Sequence, residues 1–472
     1  MKNWIKSLKL RLSDLCLLIG FIPFALYLIF GQLFMQYADP KDVAFPLWAI
    51  IISFIVSLIA WGSYIYLEFK KEKNIPNKWI SIIFIALALI NVITIVAQPA
   101  SFTEGVVSRI DKPFLPIDTV VDVPIVISST HKLFFSLDII LILAFIYIGL
   151  FMFPKRFTGI GFIKYLGYGV YIFCFALIIY GYIAEYQNYV LYVKCLLGKI
   201  DEDPANYAIK SFIIDKNAYG MSMMIGIIFA YILNSLKKHW IHYGFIGFFF
   251  VNMIFSYCKT GLIICVLMII FMFYFDSIRG MKIERHKKRN LIAIITVTAA
   301  LAVCILVVAL SLITKGKFAY KIYNIIHGST EVGSITTRSY IWDNTYQLLK
   351  NGNWIVGRGF GLINKMILPM NQVNEDRAMV FPTHSSWVNM VGEGGIIYLI
   401  AYIAFLVFAI FIIKDDIKKN PALSIAMLLG VLGFFLYSFI ETIHYLVYVF
   451  LLPMFILHEL PEKKTNDCPL KS

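Results

Sequence analysis

The amino-acid sequence predicts an all-α membrane protein with about twelve transmembrane helices. Of its 472 residues, 60% are hydrophobic and the mean hydropathy is +0.78, whereas soluble domains are about 45–50% apolar. The apolar residues form runs of about 20, the length at which a helix crosses a bilayer with its backbone groups hydrogen-bonded internally. The charged residues, which give a net charge of +14, lie in short loops between these runs. That distribution is typical of membrane orientation, and no nucleic-acid partner is expected.

The apolar runs follow one another along the whole chain. They cover residues 15–36, 45–67, 79–97, 133–153, 162–183, 218–236, 240–257, 260–276, 291–314, 386–413, 421–439 and 442–458. The first run follows a basic N-terminus and is too long for a signal-peptide core, so it is predicted to be a retained anchor. Lysines and arginines occupy alternate loops, which predicts that both termini are cytoplasmic.

This pattern divides the chain into three parts. Residues 1–314 form a transmembrane region with nine helices, and residues 315–385 form a long extracytoplasmic loop. Residues 386–472 contain about three further helices and a cytoplasmic C-terminal tail. A connection as long as the middle part is rarely idle, so we expect it to carry function.

Part of the long loop is predicted to be helical. Apolar residues recur there at the spacing of one helix face, at Ile341, Thr345, Leu348 and Leu349. This periodicity predicts an amphipathic helix that ends at Asn351-Gly352.

Ionisable residues within or beside the spans cluster toward the predicted outer ends. They are Asp138, Glu185, Lys259, His384, Glu393, Glu441 and His444. These groups either reach interfacial water or line an outward-opening polar cavity for an anionic, membrane-anchored ligand. A coupled transporter should instead carry ionisable residues or broken helices near the middle of the membrane, where this sequence has almost none.

Three short motifs supply candidate site residues. The turn Ser256–Gly261 leaves Lys259 at the outer membrane boundary, where it either snorkels to water or contacts a phosphate. Arg338 lies near the start of the predicted loop helix and is either a surface residue or a diphosphate ligand, because a guanidinium and helix N–H groups both favour that anion. The cluster Gly357-Arg358-Gly359-Phe360-Gly361 predicts a tight turn and not a nucleotide loop, because no Lys-Ser/Thr follows it.

The third motif, Thr383-His384-Ser385, leads into a predicted span. His384 is either an interfacial residue or a general-base candidate. On a continuous helix Glu393 would lie on the opposite side from His384, so Glu393 is interpreted as a packing or hinge element unless the adjacent glycines distort the helix. Glu393, Trp342 and Arg358 are the supporting candidates.

A possible metal motif remains in the second predicted outer loop. Asp201 and Asp203 have the spacing of a D-x-D site, but the following Pro204 also fits an acidic, solvated turn. No metal site and no cofactor are predicted, and whether Asp201 and Asp203 bind a metal stays open.

At these motifs the chain resembles the O-antigen ligases and the Wzy-type polymerases of O-antigen and capsular polysaccharide. The resemblance covers roughly residues 215–400 and rests on Ser256 to Thr260, Thr337-Arg338-x-x-x-Trp342, Gly357-x-Gly359-x-Gly361, His384-Ser385 and Glu393-Gly394. The segment Asp215 to Gly220 resembles the family's Asn-x-x-Gly element. The family usually has Arg at the position of Lys259 and often Asn at that of Ser385.

The resemblance implies a metal-independent glycosyltransferase of C-type architecture, with its active site on the extracytoplasmic face of the bacterial cytoplasmic membrane. Its donor would be an undecaprenyl-diphosphate-linked oligosaccharide. Lys259 and Arg338 would hold the diphosphate, and His384 would activate or orient the acceptor hydroxyl. A polymerase of lipid-linked repeat units is expected. The alternatives are a ligase using the same donor and a lipid-linked oligosaccharide transporter. A chain-length regulator and a flippase of the same pathway are the expected protein partners.

Overall fold

A computed structural model describes most of the chain. The described residues are 11–26, 44–72, 78–108, 118–157, 159–202, 204–213, 216–278, 335–374, 385–416, 420–439 and 448–459. Each predicted span overlaps a described helix except the run 291–314, which lies outside the described residues.

The helices and strands are α1 (Leu12–Leu26), α2 (Ala44–Glu72), α3 (Lys78–Ala97), β1 (Ser101–Val107), β2 (Val120–Val126), α4 (Ser129–Tyr147), α5 (Phe153–Arg156), α6 (Ile160–Ala184), α7 (Tyr186–Leu196), α8 (Lys216–Leu236), α9 (Trp240–Phe255), α10 (Lys259–Ile278), α11 (Ile335–Lys350), α12 (Leu362–Val373), α13 (Ser386–Asp416), α14 (Pro421–Ser438) and α15 (Tyr448–His458).

The predicted class, an all-α polytopic membrane protein, is confirmed. Within the described ranges, seven helices are long and apolar enough to cross a membrane. They are Ile50–Glu68, Trp79–Ala97, Ser129–Arg156, Ile160–Ala184, Lys216–Leu236, Ser386–Phe411 and Pro421–Ser438. Three shorter apolar helices accompany them, Leu12–Phe21, Trp240–Phe255 and Lys259–Phe275. The count of twelve spans stays a prediction.

The chain divides into two compact units. Unit 1 comprises Met1–Thr158, Ile335–Ala409 and Ser438–Glu459, and unit 2 comprises Gly159–Ser334, Ile410–Tyr437 and Leu460–Ser472. Each unit combines segments far apart in sequence, and the division of the chain into three parts stays a prediction.

In unit 1, α1 and α2 pack closely because a glycine faces an indole ring. A Cβ atom at Gly20 would lie 2.2 Å from the indole nitrogen of Trp61, and the hydroxyl of Ser57 donates to the carbonyl of Gly20 at 2.8 Å. Near the start of α1, Asp14 accepts hydrogen bonds from the guanidinium of Arg156 at the end of α5. This ion pair ties the two helix ends together.

The hairpin of β1 and β2 was not among the predicted elements. Its strands are antiparallel, with Ser101 opposite Val126 and Val107 opposite Val120. One face is buried through Val106 of β1 and Val123 and Ile125 of β2, and α12 packs against both strands. The β-branched residues of these segments favour strands, and this pattern could have indicated the hairpin.

Unit 2 is organised around α8, which is buried along most of its length. It packs against α6 and α9, and small residues allow close approach. A Cβ at Gly167 of α6 would lie 2.9 Å from the Leu233 side chain, and one at Gly226 of α8 would lie 2.9 Å from the Phe249 ring. Such glycine contacts are typical of helix packing in membranes.

Candidate functional site

The turn between α9 and α10 presents Lys259 at the first position of a helix. The hydroxyl of Ser256 donates to the carbonyl of Met253 at 2.6 Å and accepts from the backbone N–H of Cys258 at 3.2 Å. Between them, Tyr257 has a φ of 52°, a left-handed conformation that is costly for a residue with a side chain and is often found at functional sites. The turn is therefore built by its own side chains, and it leaves Lys259 exposed.

Two contacts fix this turn against α8. A Cβ at Gly220 would lie 2.7 Å from the hydroxyl of Ser256 and 2.8 Å from the Cβ of Cys258, so only glycine lets α8 approach so closely. The hydroxyl of Tyr437 donates to the carbonyl of Asn217 at 3.1 Å and lies 2.8 Å from the Cys258 sulfur. Tyr437 thereby joins the start of α8 to the turn that begins α10.

This arrangement gathers two lysines around one aromatic ring. The amines of Lys259 and Lys216 lie 5.3 and 5.7 Å from the centre of the Tyr257 ring, within the range of a cation–π interaction. Each lysine is also the first residue of its helix, α10 or α8, and the positive end of a helix dipole favours an anion. Lys216 was not predicted as a site residue, because nothing in the local sequence shows that it approaches a ring 41 positions further along the chain.

In unit 1, the predicted loop helix is confirmed as α11. The four periodic positions that predicted it are all buried, at Ile341, Thr345, Leu348 and Leu349. Arg338 lies in the first turn of this helix, and Trp342 is half-buried one turn further along. The side chain of Arg338 lies outside the described part of the structure.

Helix α13 is broken at Gly395, where φ is 63° and ψ is −161°. In a continuous helix the N–H groups of Ile396 and Ile397 would bond to the carbonyls of Gly392 and Glu393. Here those N–H groups donate instead to the carbonyls of Trp354 and Ile355, at 3.1 and 3.3 Å.

The carbonyls freed by this break are satisfied by the same loop. Arg358 N–H donates to Gly392 at 2.8 Å, and Gly359 N–H donates to Glu393 at 2.7 Å. The loop after α11 therefore replaces both lost helical hydrogen bonds, as buried backbone groups require. A Cβ at Gly357, whose φ is 69°, would lie 2.6 Å from the carbonyl of Glu393. The glycine cluster thus forms a turn fitted against the break in the helix.

Glu393 is held inside unit 1 at this break. It is 1% exposed, and its Oε1 accepts from the N–H of Gly361 at 3.0 Å, directly before α12 begins. A carboxylate is stabilised at this position by the helix dipole. Glu393 thus joins the broken helix to α12, and its role as a packing or hinge element stays a prediction.

Arg358 is directed into unit 1, toward the hairpin. Its Nε donates to the carbonyl of Leu348 at 2.8 Å, its Nη2 lies 3.9 Å from Glu104, and its guanidinium lies 5.4 Å from the centre of the Phe102 ring. Burial lowers the pKa of Arg358, and the charge of Glu104 partly opposes this effect. The side chain of Arg358 therefore connects the loop to the hairpin.

Comparison with known families agrees with these motifs. A protein-family model described as O-antigen ligase matches residues 244–403. Residues 244–403 of this chain are thus similar to the O-antigen ligase family. The family predicted from the sequence is thereby confirmed. Neither the comparison with curated proteins nor that with solved structures returned a match.

The matched range 244–403 contains all the predicted site residues, Lys259, Arg338, Trp342, Arg358, His384 and Glu393. The Lys259 turn belongs to unit 2, whereas α11 and the break in α13 belong to unit 1. Lys216 and Tyr437, which complete the lysine site, flank the matched range. The chain is an integral membrane protein of the surface-glycan ligase or polymerase type.

Two residues of the predicted site motifs lie outside the described residues, as do the predicted ionisable residues Glu441 and His444. One is His384, the predicted general base, which immediately precedes the described Ser385. The other is Asp203 of the possible metal motif. Next to it, Glu202 accepts a hydrogen bond from Tyr207, and this bond raises the pKa of Tyr207. Both assignments stay predictions.

Proposed function

We propose that this protein is a polymerase that transfers a growing undecaprenyl-diphosphate-linked glycan onto the next lipid-linked repeat unit. The observation that supports this proposal most directly is that the amines of Lys216 and Lys259 both lie near the Tyr257 ring. Two amines at two helix N-termini form a site suited to a diphosphate. A membrane-anchored diphosphate reaches such a site without leaving the bilayer surface.

The chemistry needs charge neutralisation and positioning more than it needs a cofactor. The bond between the sugar anomeric carbon and the diphosphate oxygen breaks, and the acceptor hydroxyl oxygen bonds to that carbon. The hydroxyl proton passes to His384, and the diphosphate leaves with its charge opposed by Lys259, Lys216 and Arg338. Cations placed where charge develops are a large source of rate enhancement, and holding both substrates adds the advantage of proximity.

A ligase is the second candidate, and the description of the matching family favours it. It would use the same donor and the same three cations but would transfer the glycan to a terminal acceptor such as lipid A-core. A gene deletion separates these two candidates. Single repeat units on the surface indicate a lost polymerase, whereas lipid-linked polymer left unattached indicates a lost ligase.

Complementation of the deletion then tests the site residues. We expect His384→Ala, Arg338→Ala and Lys259→Ala to fail to restore the wild-type glycan, while Lys199→Ala restores it. Lys199 is a matched control because it is an exposed lysine of unit 2 outside the site. Restoration by all three site variants would refute the assignment.

The transporter alternative is tested in detergent micelles, where no membrane separates two compartments. Purified protein in detergent micelles is given a lipid-linked repeat unit together with lipid A-core as a terminal acceptor, and glycan products are separated by size. An enzyme lengthens or transfers the glycan in micelles, and His384→Ala abolishes the product. A transporter gives no product under these conditions.

A further inference from the structure

The opposite end of unit 2 contains a cavity that the proposed reaction does not use. Its volume is about 570 Å³, and it lies between α6, the end of α8 and the start of α9. Helix α8 runs from Lys216 at the lysine site to Leu236 near this cavity. At 1.5 Å per residue its two ends are about 30 Å apart, close to the thickness of a bilayer's hydrocarbon core. The cavity is therefore separate from the diphosphate site.

One side of the cavity is basic. Lys164 and Lys237 line it together with His239 and His242. Helices α6, α8 and α9 contain no aspartate or glutamate. Among the described residues, no ion pair involves Lys164 or Lys237. Among its described lining residues, the cavity thus presents positive charge and no carboxylate.

Both histidine rings are held in place. The Nδ1 of His239 accepts from the N–H of Ile241 at 3.3 Å, so a neutral His239 ring carries its proton on Nε2 and can donate it to a ligand. The Nδ1 of His242 lies 3.0 Å from the hydroxyl of Tyr171. Hydrogen-bond donors as well as charge are therefore fixed at this end of the cavity.

The other side of the cavity continues into an apolar groove. A second cavity of about 280 Å³ shares Phe175, Ile241 and Phe245 with the first and extends along α9 past Gly244 and Phe248. The combined shape has a cationic end followed by an aromatic groove. This order matches the charged head group and the acyl chain of a phospholipid.

We propose that this cavity binds an anionic phospholipid of the phosphatidylglycerol type. The phosphodiester would contact Lys164, Lys237 and His239, and an acyl chain would lie in the groove along α9. On the predicted topology this end of unit 2 faces the cytoplasm, where basic pockets between helices bind anionic head groups.

The head-group test uses adjacent lysines. The full chain is placed in nanodiscs of phosphatidylcholine with and without phosphatidylglycerol, and thermal unfolding is followed. A ligand that binds only the folded state raises the unfolding temperature, so we expect phosphatidylglycerol to raise it by several degrees. The double variant Lys164→Gln/Lys237→Gln should lose at least half of this increase. Lys238→Gln should keep it, because Lys238 is exposed beside Lys237 but does not line the cavity.

The acyl-chain test uses two glycines of α9. A Cβ at Gly244 or Gly247 would meet nothing within 4 Å, so neither Gly244→Leu nor Gly247→Leu should disturb packing. Gly244 lines the groove and Gly247 does not. We expect Gly244→Leu to reduce phosphatidylglycerol binding at least three-fold in native mass spectrometry and Gly247→Leu to leave it unchanged.

Three results would overturn the proposal. Equal losses for Lys164→Gln/Lys237→Gln and for Lys238→Gln would indicate diffuse surface attraction. The same stabilisation by inorganic phosphate in phosphatidylcholine nanodiscs would indicate a soluble anion and not a lipid. Unchanged lipid binding in Gly244→Leu would show that no acyl chain lies in the groove.

Discussion

In unit 1 the guanidinium of Arg358 is buried against Glu104 and Phe102, whereas in unit 2 the amine of Lys259 is exposed above Tyr257. Both cations lie in short glycine-containing motifs within the range 244–403 that matches the O-antigen ligase family model. The guanidinium of Arg358 donates its hydrogen bond within the protein, whereas the amine of Lys259 lies at the surface. Two basic residues in family motifs therefore have different tasks, and burial distinguishes them.

The same contrast applies to the elements that hold these cations. The turn before Lys259 is built locally, because Ser256 caps it and Tyr257 adopts a left-handed conformation. The loop around Arg358 is built by distant partners, since it completes the hydrogen bonds of the broken α13. A change at Arg358 should therefore affect folding, and a change at Lys259 should affect the reaction.

Arg358→Ala should have the largest effect and should act on stability. It leaves the carboxylate of Glu104 buried without its cation, and breaking a buried pair from one side costs about 3–5 kcal/mol. Thermal unfolding in detergent and the yield of folded protein measure the loss. The double variant Arg358→Met/Glu104→Gln should recover part of it, because no unpaired charge remains. A stable but inactive Arg358→Ala protein would instead assign Arg358 to the substrate.

Lys259→Ala should act on the reaction with little change in unfolding temperature. We expect kcat to fall about 100-fold, the size of effect found when one group that stabilises developing charge is removed. Lys259→Arg should keep most of the activity, because the family usually has arginine there and its charge is retained. Glycan products from a purified lipid-linked repeat unit provide the measurement.

The double variant Lys216→Ala/Lys259→Ala sharpens this prediction. Lys216→Ala alone should lower kcat about 10-fold, and the combined loss should be smaller than the product of the two single losses. Residues that contact the same group are not additive, and both amines would contact one diphosphate. Additive losses would mean that the two lysines contact different parts of the substrate, and Lys199→Ala again serves as the control.

The sequence was sufficient where the relevant interactions are local. The amphipathic helix α11 follows from its apolar periodicity, and the Lys259 turn follows from Ser256 and the residues after it. The sequence was insufficient where distant segments meet. Nothing near Arg358 indicates that its partner is Glu104, which lies more than 250 positions earlier in the chain.

The break in helix α13 also could not be predicted from the residues around it alone. The glycines beside Glu393 indicated that a distortion was possible, but its form depends on the loop at Trp354 to Gly359. Hydrogen bonds between segments so far apart cannot be read from either segment alone. Lys216 was missed for the same reason, because its approach to Tyr257 depends on how α8 and the turn pack.

Tyr437→Phe should have an intermediate effect on both properties. The variant loses the hydroxyl that donates to Asn217 and contacts Cys258, and one buried hydrogen bond contributes about 1 kcal/mol. Because this contact positions both lysine-bearing helix ends, we expect kcat to fall about 10-fold while KM changes less. Tyr402→Phe, at another buried tyrosine, is the control for simple loss of a hydroxyl. Equal effects of the two variants on kcat would show that Tyr437 does not position the two helix ends.

Lys365→Met should have the smallest effect and tests whether this half-buried lysine of unit 1 also serves stability. Lys365 lies in α12, and burial lowers its pKa from the usual value of 10.5. Between the lowered pKa and 10.5 the unfolded chain binds a proton that the folded chain has lost, so the stability of the wild type rises with pH through that window. Methionine has no charge to desolvate, so Lys365→Met should raise the unfolding temperature at neutral pH by about 1 °C, and this advantage should shrink toward pH 10. Lys350→Met, at the exposed end of α11, is the control for replacing a lysine with methionine. A loss of stability in Lys365→Met at neutral pH would mean that the ammonium group binds a partner and thereby stabilises unit 1.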